Sequence, residues 1–308
     1  MIENGDVGGS VMESRVRVMA HDWPRRDHKP SSRLWISAMT TRHPLKVATL
    51  MMSALWAAHS AAAAPAPASR PTIVLVHGAW ETAAIWRPLA GRLRQDGYRV
   101  IAVNLPGRPG SPSGPEHASL PAYRDAVLQA MAKETRPVVL VGHSFGGVTI
   151  TTVAEAVPEK VKTLVYLAAF VPESGHSLLD VSKRDTGSAL ASHLKVDQAR
   201  GTVSIAPEAR GPVMANDAGP AQRAQLASML VDEPLQPMTT PVQLSAGRAG
   251  QVDRVYLRTL QDKAVSPAFQ SEMALATPMR MTIDLDTGHS PFLTKPDELA
   301  SAIEHVLD

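Results

Sequence analysis

From residue 71 onward, short apolar segments alternate with segments whose apolar residues recur at helical spacing. The short segments are typical of strands buried on both faces, and the longer ones are typical of amphipathic helices. This alternation predicts an α/β fold with a mostly parallel central sheet and helices on both faces. Strands are predicted at 72–76, 99–103, 137–141, 161–170, 254–260 and 279–285, and helices at 85–94, 119–131, 145–156, 267–276 and 296–307.

Residues 172–240 interrupt the alternation, because Gly, Pro, Ser and charged residues are frequent there. Only residues 222–231 have a clear helical pattern. We interpret the segment as a cap inserted into the α/β domain. The cap and the loop at 106–115 are expected to line a substrate pocket, with Met214, Leu226 and Met229 as apolar contacts.

The first 64 residues have the pattern of a leader. In residues 39–64, Arg42 and Lys46 precede an apolar stretch of about a dozen residues, and small residues follow it. This order is typical of a secretory signal peptide. The apolar stretch is shorter than the roughly 20 residues that span a bilayer, so no stable membrane anchor is expected. The pattern predicts export to the periplasm or the medium.

Residues 1–38 lack apolar periodicity and precede Met39, a plausible start. We expect them to be non-native or a disordered extension, so the catalytic domain is predicted to span 65–308. Residues 1–64 carry 8 Lys/Arg against 5 Asp/Glu, which leaves 23 against 24 in the domain. A near-neutral domain gives no basic footprint for nucleic acid. The absence of cysteine excludes a thiol nucleophile, Cys-ligated metals and disulfides.

One motif predicts nucleophilic catalysis. Gly142-His143-Ser144-Phe145-Gly146 matches G-x-S-x-G, and it lies between a predicted strand and a predicted helix, as a nucleophile elbow requires. The sharp turn exposes the serine, and the helix that follows directs N–H groups toward developing negative charge. A glycine-rich turn with an incidental serine is the structural alternative. The context favours Ser144 as the nucleophile.

A serine hydroxyl needs a base, and the base needs a group that orients it. Of the 11 histidines, only His289 follows the predicted last strand on a turn-like segment, where this fold places its base. Asp262 comes two residues after the strand predicted at 254–260 and is the candidate acid. Glu173, which follows the strand predicted at 161–170, is the alternative acid.

Acyl transfer also needs two N–H donors for the oxyanion. We expect them at Phe145, directly after the nucleophile, and at Ala79, in the loop after the first strand. Trp80 and His143 lie beside these donors in the sequence and are candidate substrate-binding residues. His77 and His143 are also potential acid/base groups, although a role in stabilising their loops is the simpler interpretation.

With these residues assembled, the chain from about residue 72 onward resembles the plant methylesterase and hydroxynitrile lyase group of α/β-hydrolases and related bacterial esterases. The resemblance implies Ser144, Asp262 and His289 as a triad and Ala79 and Phe145 as oxyanion donors. The matching segments are VLVHGAW (74–80), VVLVGHSFGG (138–147), VKTLVYLAAFVP (161–172), QDKAVSPAFQ (261–270) and GHSPFLTKPDELA (288–300). The cap resembles the group only in position.

Two positions separate esterase from lyase within this resemblance. The lyases have threonine where this chain has Gly78, and lysine where it has Ser290. That lysine assists with cyanide, so its absence favours hydrolysis of a small carboxylic ester through an acyl-enzyme, without metal or cofactor. A cofactor-free lyase or perhydrolase on the same triad is one alternative. A ligand-binding protein that retains the hydrolase fold is another. The sequence predicts neither the ester nor the oligomeric state.

Overall fold

The computed structural model describes residues 70–111 and 114–307. The predicted extension (1–38) and the predicted signal peptide (39–64) lie outside the described residues. Within the described ranges, no helix is long and apolar enough to cross a membrane.

In the described residues, nine strands form two sheets. Six strands make a wholly parallel sheet in the order β2-β1-β3-β4-β8-β9, and the other three make a small antiparallel sheet in the order β5-β6-β7. The strands are β1 (Ile73–Val76), β2 (Val100–Val103), β3 (Val138–His143), β4 (Val161–Leu167), β5 (Leu194–Asp197), β6 (Thr202–Ile205), β7 (Glu233–Pro234), β8 (Asp253–Thr259) and β9 (Met281–Leu285).

Ten α-helices accompany the sheets in the described part of the chain. Helix α1 packs against α10, and α2 packs against α3, so the large sheet is covered by packed pairs of helices. The helices are α1 (Arg87–Gln95), α2 (Leu120–Ala130), α3 (Gly146–Ala156), α4 (Leu178–Ser182), α5 (Pro207–Met214), α6 (Pro220–Met229), α7 (Leu235–Thr239), α8 (Pro267–Ala276), α9 (Pro291–Thr294) and α10 (Pro296–Leu307). The predicted α/β-hydrolase architecture is confirmed.

The central strands are apolar along their whole length because helices cover both faces. Every residue of β1 and β3 is buried. Helix α2 begins after Ser119, whose hydroxyl accepts a hydrogen bond from the Ala122 amide, as an N-cap does. The sheet is therefore a rigid platform, and the loops at the carboxyl ends of its strands carry the polar residues.

Two predicted strand ends were wrong. Strand β3 continues through Gly142 and His143, which pair with Tyr166 and Leu167 of β4, although Gly142 suggested an earlier end. Strand β4 ends at Leu167 and not at Phe170, because Ala168 has a φ of 44° and turns the chain away. Apolar composition continues past this turn because residues 168–171 remain buried beneath neighbouring segments.

The segment between β4 and β8 contains much more regular structure than its composition predicts. It includes α4, the three-stranded sheet, α5, α6 and α7, whereas the sequence pattern indicated one helix at 222–231. That helix is α6 and lies two residues earlier. The remaining elements are short, and three of them, α4, β5 and α7, contribute residues to the wall of the cavity described below.

Candidate active site

Ser144 lies on a sharp turn between β3 and α3. Its φ is 52°, a left-handed conformation that is costly for a residue with a side chain. The turn is held by two backbone hydrogen bonds, from the Ser144 amide to the Leu167 carbonyl (3.2 Å) and from the Phe170 amide to the Ser144 carbonyl (3.1 Å). The surrounding strands therefore fix the position of the hydroxyl.

The two glycines of the motif allow this turn to pack tightly. A Cβ on Gly146 would lie 2.6 Å from the Val76 carbonyl oxygen, and a Cβ on Gly142 would lie 2.6 Å from the Gly146 carbonyl oxygen. Neither contact is possible for a real side chain. Glycine at both positions therefore lets helix α3 begin directly against β1 and behind the serine.

His289 and Asp262 form a buried pair. His289 Nδ1 lies 2.7 Å from Asp262 Oδ2, and both side chains are almost inaccessible to solvent. Because a carboxylate only accepts, the proton of the neutral imidazole lies on Nδ1 and leaves Nε2 as a free acceptor. His289 Nε2 is buried and has no hydrogen-bond partner among the described residues. The ring is therefore oriented for accepting a proton at Nε2.

Asp262 is fixed by four donors in addition to His289. Its Oδ1 accepts from two backbone amides, and its Oδ2 accepts from a hydroxyl and from a side-chain amide. The donors are Ala264 N (2.7 Å), Val265 N (2.9 Å), Thr259 Oγ1 (2.8 Å) and Gln270 Nε2 (3.0 Å). These hydrogen bonds fix the orientation of the buried carboxylate and offset the cost of burying it.

The surroundings of His289 act on its charge in opposite directions. Burial disfavours the imidazolium, but the Asp262 carboxylate, its hydrogen bond and the Glu81 carboxylate together outweigh burial. The pKa of His289 is therefore raised above its ordinary value. This environment favours an imidazolium formed by protonation at Nε2.

The expected oxyanion donors lie in the same cavity as the nucleophile. Ala79, Trp80, Ser144 and Phe145 all line it. The amides of Ala79 and Phe145 make no hydrogen bond to other described residues. A Cβ on Gly78 would lie 2.8 Å from Ser144 Cβ, so the loop after β1 packs directly against the nucleophile. Two free N–H groups thus flank the serine.

The cavity has an empty volume of about 560 Å³, a figure that includes space open to solvent. Its walls are mainly apolar, and no Lys, Arg or His belongs to them. The apolar contacts expected at Met214, Leu226 and Met229 do not line it, and neither does the loop at 106–115. Apolar residues of its wall between β4 and β8 are Phe170, Leu178, Leu179, Leu190, Ala191, Leu194 and Met238.

The structure separates the two candidate substrate-binding residues. Trp80 lines the cavity, and its indole N–H donates to the Val203 carbonyl (2.9 Å). His143 is fully buried and is not part of the cavity wall, so the structure does not place it as a substrate contact. Its ring nitrogens lie 2.9 Å from Glu81 Oε2 and 2.9 Å from the His289 carbonyl oxygen.

Two other side chains from the sequence analysis lie outside the reacting centre. His77 accepts from the Leu105 amide at Nε2 and donates to the Gly78 carbonyl at Nδ1, and burial together with Arg108 lowers its pKa to about 3. It is a neutral, structural histidine. Glu173 is half exposed and pairs with Arg184 (2.6 Å), so the structure does not bring the alternative acid to His289.

Three buried charged residues around the loop after β1 were missed by sequence reasoning. Glu81 contacts His143, and Arg108 forms an ion pair with Glu233 in which neither side chain is exposed. Glu233 Oε2 also accepts from the Trp80 amide (2.8 Å), and Arg108 donates to the Glu81 carbonyl (2.9 Å). The loop after β1, residues 77–81, is therefore held from several sides. We call it the oxyanion loop. No local motif marks these residues, because their partners are distant in sequence.

The model of the alpha/beta hydrolase family matches residues 73–302. A carbendazim-hydrolysing esterase of Nocardioides sp. (strain SG-4G) is 32% identical over 75% of this chain and 97% of its own length. An alpha-hydroxynitrile lyase of Arabidopsis thaliana is 28% identical over 76% and 95%. The structure of a pyrethroid hydrolase from Sphingobium faniae JZ-2 superposes with a TM-score of 0.69 at 25% identity, covering 77% of this chain and 97% of that one.

The chain belongs to the alpha/beta hydrolase family. Within that family it is a carboxylic ester hydrolase. The predicted resemblance to plant and bacterial esterases is confirmed.

Proposed function

We propose that Ser144, His289 and Asp262 hydrolyse a small, uncharged carboxylic ester through an acyl-enzyme on Ser144. The observation that carries this assignment is the presence of four features together. Ser144 and the free amides of Ala79 and Phe145 line one cavity, and the buried His289–Asp262 pair presents an unpartnered Nε2. These are the groups that acyl transfer requires.

In the acylation step, the Ser144 hydroxyl gives its proton to His289 Nε2 as Oγ bonds to the acyl carbon. The amides of Ala79 and Phe145 stabilise the oxyanion, and each such donor typically contributes about 3 to 4 kcal/mol. When the tetrahedral intermediate collapses, the alkoxide leaves with the proton from His289. Water then gives a proton to His289 and attacks the acyl carbon, and the carboxylic acid departs as Oγ regains its proton.

The cavity wall defines the substrate by chemical class. Its apolar side chains favour an apolar acyl or alcohol group, and no basic side chain on the wall would compensate the charge of a carboxylate or phosphate. Asp185, which belongs to the wall and is buried, also disfavours an anion. We therefore expect uncharged esters to be better substrates than esters that carry a free carboxylate.

The test is turnover of chromogenic p-nitrophenyl esters from acetate to long acyl chains, with wild type and Ser144→Ala compared. The substitution removes the nucleophile and little packing, so kcat should fall by about 10⁴-fold or more, with circular dichroism and thermal unfolding unchanged. Retention of more than about a hundredth of wild-type kcat would contradict the assignment of Ser144.

The lyase and ligand-binding alternatives are separated by two measurements. Ser290 is fully buried, and its hydroxyl donates to the Met214 carbonyl (2.6 Å), so this position supplies no cation for cyanide. We expect no release of cyanide from a cyanohydrin by protein that hydrolyses esters. A protein that only binds ligands would unfold at a higher temperature in the presence of an ester but would release no p-nitrophenol from it.

We also propose that the protein is exported by means of the predicted signal peptide at 39–64. The order of charged, apolar and small residues supports this proposal. Expression in a host with a matching secretion pathway should give a mature N-terminus between about residues 62 and 68. Exported, active protein that retains Met39 at its N-terminus by mass spectrometry would contradict it.

A further inference from the structure

Glu81 is a fully buried carboxylate to which the catalytic steps above assign no role. Its Oε2 accepts a hydrogen bond from the Gly78 amide (2.8 Å), one residue before the oxyanion donor Ala79. The same oxygen lies 2.9 Å from His143 Nδ1. The other oxygen, Oε1, is buried without a hydrogen-bond partner among the described residues. A group placed in this way costs stability, which calls for a reason in function.

His143 extends the contact to the catalytic base. Its Nε2 lies 2.9 Å from the His289 carbonyl oxygen, and the ring centroids of the two histidines are 4.5 Å apart. A carbonyl can only accept, so His143 carries a hydrogen on Nε2, and the 2.9 Å contact of its Nδ1 with Glu81 Oε2 requires a second hydrogen between those two atoms. An unbroken set of contacts therefore leads from Gly78 through Glu81 and His143 to the backbone of His289.

The charge of Glu81 is stabilised where it lies. Burial opposes ionisation, but His143, His289 and the Gly78 amide outweigh it, and the pKa of Glu81 lies below its ordinary value. The charged and titratable groups that act on this carboxylate or adjoin it are His143, His289, His77 and Arg108, the last donating to its backbone carbonyl. Among the carboxylates, Glu81 and Asp262 both act on His289.

We propose that Glu81 is a positioning residue of the catalytic site, which holds the oxyanion loop through Gly78 and holds the base loop, residues 286–290 around His289, through His143. This inference rests on the proposed function, since it assigns Glu81 a role toward the same base. Asp262 acts on Nδ1 of the base directly, whereas Glu81 acts through His143 and through space. One side chain thereby connects the two loops whose positions relative to Ser144 must be maintained.

The test is the pH dependence of kcat/KM for Glu81→Gln. A glutamine oxygen can still accept from the Gly78 amide, so this variant removes the charge and retains much of the geometry. Loss of the carboxylate lowers the pKa of His289, so the midpoint of the acid limb should move down by about 0.5 to 1 pH unit. KM should change less than twofold, because Glu81 does not line the cavity.

Two further variants separate positioning from charge. Glu81→Ala also loses the bond to Gly78, so kcat should fall by about 10-fold to 100-fold. Glu134→Gln is the matched control, because its carboxylate is likewise hydrogen-bonded but has Thr72 and Arg99 as partners. Its midpoint and kcat should equal those of wild type.

Failure of the proposal for Glu81 can be distinguished from failure of the proposed function. If wild type hydrolyses esters, Ser144→Ala does not, and Glu81→Gln keeps the wild-type midpoint and kcat, then the role of Glu81 is overturned while the triad stands. If Glu81→Gln does not fold, His143→Gln interrupts the same connection, and its amide can still donate to the His289 carbonyl. A wild-type kcat in that variant would overturn the positioning role of Glu81, because the connection through His143 would then be without effect on catalysis.

Discussion

Asp262 and Glu173 show how local surroundings decide which carboxylate can support the base. Asp262 follows β8, where the Ala264 and Val265 amides fold back onto its carboxylate and orient it toward His289. Glu173 follows β4, but its side chain extends to Arg184 at the surface. The order of residues in this fold allows either carboxylate to be the acid. Burial and hydrogen bonding therefore favour Asp262 for the proposed role.

Exchange of these two carboxylates for amides gives a direct comparison. Asp262→Asn should lower kcat/KM for a chromogenic ester by about 10³-fold to 10⁴-fold, because the amide no longer fixes the tautomer of His289 or stabilises its charge. Glu173→Gln should stay within about twofold of wild type, since its ion pair is exposed. The opposite order of effects would transfer the acid to Glu173.

The raised pKa of His289 has a defined kinetic consequence. His289 must be neutral to accept the serine proton, so kcat/KM should decrease as pH falls through a midpoint above 6.5. Below the midpoint the decrease should be tenfold per pH unit, because one proton is involved. A pH profile that is flat from about pH 8 to pH 4, with the protein still folded, would exclude a histidine base.

Residues with a local signature were predictable, and residues defined by distant partners were not. Ser144 lies in a five-residue motif, and His289 follows the last strand of an order that the fold fixes. Glu81 has no such signature, because its partner His143 is 62 residues away and meets it only in the folded sheet. His143, predicted as a substrate contact, is fully buried and does not belong to the cavity wall.

At the scale of elements, the segment between β4 and β8 is attached to the α/β core through a buried ion pair. Glu233 belongs to β7 and pairs with Arg108 in the loop after β2, and Tyr123 of α2 donates to the same carboxylate (3.0 Å). Glu233 also holds the Trp80 amide. The position of β7 is thereby connected to the oxyanion loop.

Breaking this pair should destabilise the protein strongly. Glu233→Ala leaves the Arg108 guanidinium buried without its partner, so the free energy of unfolding should fall by about 3 to 5 kcal/mol. Asp232→Ala is the neighbouring control, since it breaks the exposed pair with Arg200 and should cost less than about 1 kcal/mol. Urea denaturation followed by fluorescence measures both. Equal losses would show that burial of the pair is unimportant.

The sequence predicted the elements of the core better than those of this segment. Core strands are apolar runs buried on both faces, and this pattern is visible in any short window. Between β4 and β8 the pattern is obscured, because β5 is mostly exposed and α5 contains Pro212 within the helix. Tertiary contacts decide these short elements. Leu226 and Met229, which were predicted to line the substrate pocket, instead line a separate groove together with Phe292.

At the scale of the whole molecule, His77 makes stability depend on pH. Its pKa of about 3 in the folded state lies below the ordinary value of 6.5, so between these values the unfolded chain binds a proton that the folded protein does not. Stability is therefore lost as pH falls below 6.5. The contribution of His77 should approach about 1.4 kcal/mol per pH unit.

Urea unfolding at pH 7, 6 and 5 measures this dependence. His77→Asn should have a lower free energy of unfolding at pH 7 and a flatter decrease toward pH 5 than wild type, because the titrating group is absent. Parallel curves for the two proteins would contradict the assignment of His77 as a neutral, buried histidine. Measurements above pH 5 avoid titration of the carboxylates, whose ordinary pKa values are near 4.

The central claim is that Ser144 forms a covalent acyl-enzyme, and active-site titration with a fluorophosphonate followed by mass spectrometry tests it most directly. The reagent phosphonylates a serine that is activated by a histidine and releases fluoride. We predict one adduct per chain, located on the peptide that contains Ser144, with ester turnover lost in proportion and no adduct on Ser144→Ala. An adduct on another residue that accounts for the lost activity, or full turnover by protein labelled at Ser144, would contradict the account.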